Sequence, residues 1–189
     1  MAHTTFPSDI PVPKDDGACN HLQQAQTPDL ALPIASDPSH PVNLSTLPGL
    51  TIVFIYPRTG APGETVPDDW NAIPGARGCT PQACSFRDNF DELTKLGVTN
   101  LYGLSTQSSA YQKEVHDRLE LPYELLSDET LAFQQALELP TFDWHGTKVI
   151  RRVTLALQDG KLVKWWYPIF PPDKNVDLVL EWLKERSVG

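Results

Sequence analysis

The run LTIVFIY at residues 50–56 is apolar, rich in β-branched side chains and closed by Pro57. That is the pattern of a strand buried on both faces. Residues 79–97 place Ala83, Phe86, Phe90 and Leu93 at spacings of three and four and stop at Gly97, which predicts a helix. Alternation follows: VTNLYGLS at 98–105 reads as a strand, and 109–121 as a helix with a Tyr111, Val115, Leu119 stripe. YELLSD at 123–128 reads as a short strand and 129–139 as a further helix. Residues 149–168 predict a hairpin turned at Asp159-Gly160, and 172–187 a closing helix with Val176, Val179, Leu180 and Leu183 inward.

Other segments lack periodicity. Residues 1–45 are rich in Pro, Ser, Asp and Gln. Residues 1–29 are therefore expected to form an extended arm, and 30–189 the globular domain, with DLALPIA at 29–35 supplying one edge strand. The Gly and Pro content of 57–78, PRTGAPGETVPDDWNAIPGARG, excludes regular structure, and so long a loop in a compact domain is usually functional or mobile. The order of elements predicts an α/β fold, a central mixed β-sheet flanked by helices. Strand–helix–strand–helix followed by a hairpin and a closing helix is the order of the thioredoxin-like fold.

Composition narrows the function. A chain of 189 residues with 40% hydrophobic content supports one sizeable core. A net charge of -9 argues against nucleic acid or an anionic membrane as partner. No segment approaches the roughly 18 apolar residues of a membrane span, and no apolar run of signal-peptide length opens the chain. A cytoplasmic, soluble protein is the expectation. Three cysteines are too few for a secreted disulfide scaffold. His116 and His145 stand alone, so no metal site is expected. GAPGE lacks the Lys-Ser/Thr of a phosphate loop, and no organic cofactor is expected either.

Two of the cysteines, Cys79 and Cys84, lie five positions apart in GCTPQACSFRD. In a helix such residues are roughly 8–9 Å apart at Cα, beyond the ~7 Å reach of a disulfide. Either the pair is accidental, or this helix must unwind. Cys79 follows Gly78 at the start of the helix, where unpaired N–H groups and the helix dipole favour an anion.

YPRTG, GCTPQACSFRDNFDEL, LYGLSTQSSAYQKEV followed by LPYELLSD, and RVTLALQDGKLV together resemble the successive blocks of a peroxiredoxin, most closely the Q-type or bacterioferritin-comigratory group. The resemblance implies a thiol peroxidase reducing hydrogen peroxide and organic hydroperoxides. In it Cys79 is the peroxidatic cysteine and Cys84 the resolving one, joined in an intramolecular disulfide that thioredoxin or a similar reductant reopens. It further implies that Arg152 stabilises the thiolate, with Arg151 its substitute if the strand register is one off. Gln82 and Arg87 are expected to support the helix, Cys19 to be a bystander or at most an alternative partner of Cys79, and the protein to be a monomer or weak homodimer.

One departure stands out. The family pattern Pro-x-x-x-Thr-x-x-Cys puts a peroxide-holding hydroxyl three residues before the cysteine, where this chain has Ala76. An insertion at about 60–78 separates Tyr56-Pro57 from Cys79. Thr59 is the first candidate to supply the hydroxyl, with Thr80 or a backbone N–H as substitutes, although Thr59 could simply open a turn before Gly60. Trp70, beside Asp68 and Asp69, makes the inserted loop either a lid over Cys79 or a decoration tethered by one aromatic. With the hydroxyl displaced, the alternative function is a peroxiredoxin-like redox sensor or binding module of low turnover.

Overall fold

The computed structural model describes residues 10–188. Its first strands, β1 (Ala31–Leu32) and β2 (Val42–Asn43), form a small antiparallel pair. The apolar run then becomes β3 (Leu50–Ile55), every residue of which is buried. The inserted segment contains one helical turn, α1 (Asp68–Asn71), and is followed by α2 (Cys79–Asp88), α3 (Phe90–Lys95), β4 (Val98–Ser105), α4 (Ser109–Leu119), β5 (Glu124–Ser127) and α5 (Ala132–Ala136). Two hairpins, β6 (Thr141–Trp144) with β7 (Thr147–Ile150) and β8 (Val153–Gln158) with β9 (Lys161–Trp166), precede the last helix, α6 (Asn175–Val188).

The five-stranded sheet runs β5-β4-β3-β8-β9, with β3, β4 and β5 parallel and β8 and β9 antiparallel to their neighbours. Period-two alternation divides β3 between two cores. Ile52 and Phe54 join side chains of α2, α4 and α6 on one face; Val53 and Ile55 join Phe133 of α5 with Leu22 and Cys19 on the other. The arm residues that the structure describes thus add apolar surface to the second core.

Four local readings change. The helix expected over 79–97 breaks at Asn89 (φ -108°, ψ 10°), whose side chain donates to the Ser85 carbonyl. The helix expected over 129–139 shrinks to α5. Asp128 accepts from the N–H groups of Phe133 and Gln134, and Leu131 adopts a left-handed conformation (φ 61°), which delays the helix start. Val149 and Ile150 belong to β7 and pair with β6, not with β9. The segment 57–78 is not wholly irregular, since it holds α1.

The β8–β9 turn shows how tightly the sheet edge is packed. Asp159 (φ 51°) and Gly160 (φ 75°) both lie in the left-handed region, and a Cβ on Gly160 would sit 1.8 Å from the Ser45 carbonyl oxygen. Gly160→Ala is expected to lower stability by on the order of 2–3 kcal/mol through both effects, read as a lower denaturation midpoint at unchanged m-value.

Candidate active site

Gly78 sets the site. With φ 104° it takes a conformation that side chains rarely adopt, turning the chain so that Cys79 becomes the first residue of α2. No side chain caps this helix end. The thiol is buried, 3% exposed, and donates to the Ala76 carbonyl at 3.6 Å.

Arg152, immediately before β8, is equally buried. Its Nη2 lies 3.3 Å from Cys79 Sγ and donates also to the carbonyls of Gly75 (3.3 Å), Ala76 (3.2 Å) and Arg77 (3.3 Å). Its Nη1 donates to Gln82 Oε1, while Nε has no partner among the described residues. None of these partners is a carboxylate. A buried cation without an acid beside it is poorly compensated. Arg151 instead lies over the Phe142 ring, 5.7 Å from its centroid, and its backbone N–H bonds to Pro140.

Gln82 belongs to this constellation. Its Nε2 donates to Asn175 Oδ1 at 2.8 Å, and Thr154 Oγ1 donates to the same oxygen at 2.7 Å. All three are buried. Reading Gln82 as helix support alone overlooked its contact with Arg152. The available signal was its place three residues after Cys79, on the same side of the first turns. Asn175 carried no such signal, lying 93 residues from Gln82 in sequence.

Cys84 sits on α2 in the same core as Cys79. Burial raises its thiol above the ordinary value, against a lesser opposite pull from Arg87. Cys19 lies in the core on the other face of the sheet, where burial pushes its thiol up to about 12. All three cysteines are free.

Thr59 is buried, but its hydroxyl donates to Gln107 Oε1 at 3.1 Å, as does its N–H at 2.9 Å. Gln107 Nε2 and the Tyr111 hydroxyl both donate to the Thr59 carbonyl, at 3.1 and 2.9 Å. No hydrogen bond among the described residues joins Thr59 to Cys79. Tyr56, in the Cys79 core, donates its hydroxyl to Gln112 Oε1 at 2.6 Å. Burial holds that phenol well above its usual range, and the nearby Cys79 adds to the effect.

The insertion is built around Trp70, which is buried with Ala76 and Val149. Its ring meets Trp144 edge-on at 4.9 Å and Phe142 at 5.7 Å. Asp69 bonds to His145 at 2.5 Å, and Arg58 pairs with Glu64 at 2.7 Å while lying over Trp144. The loop is therefore docked on the β6–β7 hairpin, and its last residues present the carbonyls that hold Arg152. Ala76 uses its methyl group as part of that small core. Among the described residues, no group of three His, Cys, Asp or Glu side chains could hold a metal ion.

A thiol at a helix N-terminus, beside a buried guanidinium and on a thioredoxin-like sheet, defines a thiol-based redox protein. The family model described as Redoxin matches residues 23–180, and this chain belongs to that family. Within it the chain falls in the peroxiredoxin Q/Bcp group and is a thiol peroxidase acting on peroxides. It is 32% identical over 156 residues to Peroxiredoxin Bcp of Escherichia coli strain K12, covering 77% of this chain and 86% of that protein. It is 30% identical over 145 residues to chloroplastic Peroxiredoxin Q of Sedum lineare, covering 76% and 69%. The fold resembles that of Peroxidoxin BcpB from Mycobacterium tuberculosis, with a TM-score of 0.66, 24% identity and coverage of 85% and 94%. No helix among the described residues is long and apolar enough to cross a membrane.

Trp70→Ala should lower stability by about 3 kcal/mol or more, as for other buried large-to-small changes. It should also slow oxidation of Cys79, because the 75–77 carbonyls lose their footing. Denaturant titration and peroxide-dependent thiol loss on the same preparation check both.

Proposed function

We propose that Cys79 is the peroxidatic cysteine and Cys84 the resolving cysteine of a single-chain catalytic cycle. The observation that carries this reading is the Arg152 guanidinium 3.3 Å from Cys79 Sγ with no acid among its hydrogen-bond partners. The Cys79 thiolate attacks one peroxide oxygen and becomes a sulfenic acid, while the other oxygen leaves as water or an alcohol. Arg152 stabilises the thiolate and the charge that develops on the leaving oxygen.

The closed site has no hydroxyl pointed at the sulfur from Thr59, which is held by Gln107. Thr59 takes part only if it exchanges that bond for the peroxide. Until then, the donors for the substrate are Arg152 and the N–H groups of Cys79 and Thr80, the first two residues of α2, which have no intrahelical acceptor.

Cys84 cannot reach Cys79 while α2 is intact, since residues five apart in a helix are roughly 8–9 Å apart at Cα. Unwinding does two things: it closes that distance, and it exposes a thiol that burial holds protonated. The Cys84 thiolate then attacks the sulfenic sulfur, forming the disulfide and releasing water. Thioredoxin or a similar dithiol reductant reopens the bond. Three free thiols suit a reducing compartment such as the cytoplasm, and the acidic chain fits protein and small-molecule partners rather than nucleic acid or a membrane surface. A monomer or weak homodimer suffices, because both sulfurs lie on one helix.

Wild-type protein mixed with substoichiometric hydrogen peroxide is expected to lose thiol near-equimolarly within seconds. Cys79→Ser should lose that reaction, and full activity in it would overturn the assignment. Cys84→Ser should consume the first equivalent but fail to turn over with thioredoxin, its sulfenic acid passing to sulfinic acid in mass spectra. Arg152→Ala should fold yet oxidise on the order of 100-fold more slowly. A normal rate in that variant would remove Arg152 from the mechanism.

A further inference from the structure

Two polar contacts tie down the stretch of α2 between the cysteines. The Tyr123 hydroxyl donates to the Ala83 carbonyl at 2.7 Å, and the Gln82 side chain is shared between Arg152 and Asn175. The second reaches further. Asn175 is the first residue of α6 and fully buried, and its Oδ1 accepts from both Gln82 on α2 and Thr154 on β8. The chain of contacts therefore runs from α6 and β8 through Gln82 to Arg152 and ends at Cys79 Sγ. Asn175 Nδ2, by contrast, is buried without a partner among the described residues. An unsatisfied buried donor makes the closed arrangement less favourable than a fully paired one.

We propose that Asn175 is a positioning residue that acts through Gln82, keeping the first turns of α2 closed and Arg152 aligned while Cys79 reacts. Its release of Gln82 then sets how the oxidised Cys79 is partitioned. This rests on the roles proposed for Cys79 and Cys84. In the closed form, the Cys79 sulfenate can take an oxygen from a second peroxide, giving sulfinate and one more water or alcohol. In the unwound form, the Cys84 thiolate attacks the same sulfur, forming the disulfide and releasing water. The longer Gln82 stays bonded to Asn175, the larger the sulfinic fraction.

The test oxidises reduced protein with hydrogen peroxide at rising concentration. Intact-mass spectra give the disulfide-to-sulfinic ratio, and stopped-flow fluorescence gives the first oxidation rate. Asn175→Ala removes the shared acceptor. It is expected to lower the sulfinic fraction at a given peroxide concentration by roughly 3- to 10-fold, the equivalent of one hydrogen bond, and to slow the first oxidation. Asn175→Asp keeps an oxygen that accepts both bonds, more strongly when ionised, so its sulfinic fraction should equal or exceed that of wild type, and a fall like that of Asn175→Ala would overturn the proposal. Thr154→Val frees Asn175 from one side only and should shift the ratio the same way by less.

An Asn175→Ala protein that is less stable but partitions like wild type would overturn the proposal and leave a merely structural role. Should that variant not fold, an unchanged ratio in Thr154→Val overturns it instead. A failure of the underlying assignment looks different, because wild type itself would then form no Cys79–Cys84 disulfide.

Discussion

A buried guanidinium with no acid beside it is the constraint on which the rest of the site depends. Arg152 gives its terminal N–H groups to carbonyls, an amide and a sulfur, none of them a carboxylate, and its Nε has no partner among the described residues. Hydrogen bonds to neutral acceptors reduce the penalty of burying the cation, but only an anion compensates its charge. Cys79 is also the first residue of α2, at the helix N-terminus. Two independent elements, α2 and the β7–β8 junction, thus converge on one sulfur. That convergence is the geometry on which the proposed role of Cys79 rests.

The same helix carries an opposing demand. In the proposed cycle α2 is intact while Cys79 lies against Arg152 and unwinds for Cys84 to reach Cys79. Its fastenings match that double role. One face is packed by Ala83, Cys84 and Phe86 in the core, where Phe86 stacks on Phe54 at 4.4 Å. The polar fastenings are few, and Asn175, whose Oδ1 accepts from Gln82, has its own Nδ2 without a partner among the described residues. Burial of Cys84 raises its thiol above the ordinary value, which disfavours the reactive thiolate.

The inserted loop shapes the surroundings of Arg152 with an alanine at residue 76. Ala76 brings no hydroxyl, but its carbonyl and those of its neighbours wrap Arg152, and its methyl group fills the small core under Trp70. The loop's position comes from aromatic packing against β6–β7, not from regular hydrogen bonding. A long loop of Gly and Pro is thereby given a defined geometry at the residues next to the sulfur.

The order of strands and helices was legible in the sequence, because burial within one element repeats with that element's own period. The β-branched run of β3, the three-and-four spacing of α2 and α6 and the Asp159-Gly160 turn each carry their signal within a few residues. So do the helix-start position of Cys79 and the five-residue step to Cys84. The end points of α5, the break at Asn89 and the β6–β7 hairpin were not legible, since side-chain bonds to the backbone and packing by Trp70 override weak local propensity. Tertiary structure alone decided that Arg152 rather than Arg151 meets the sulfur, that Thr59 is held by Gln107, and that Cys19 lies across the sheet from Cys79. The contacts that complete the site span 73 residues from Arg152 to Cys79 and 93 from Gln82 to Asn175. No periodicity reports such pairs, because a polar group's partner is fixed by how separate elements pack and not by its neighbours along the chain.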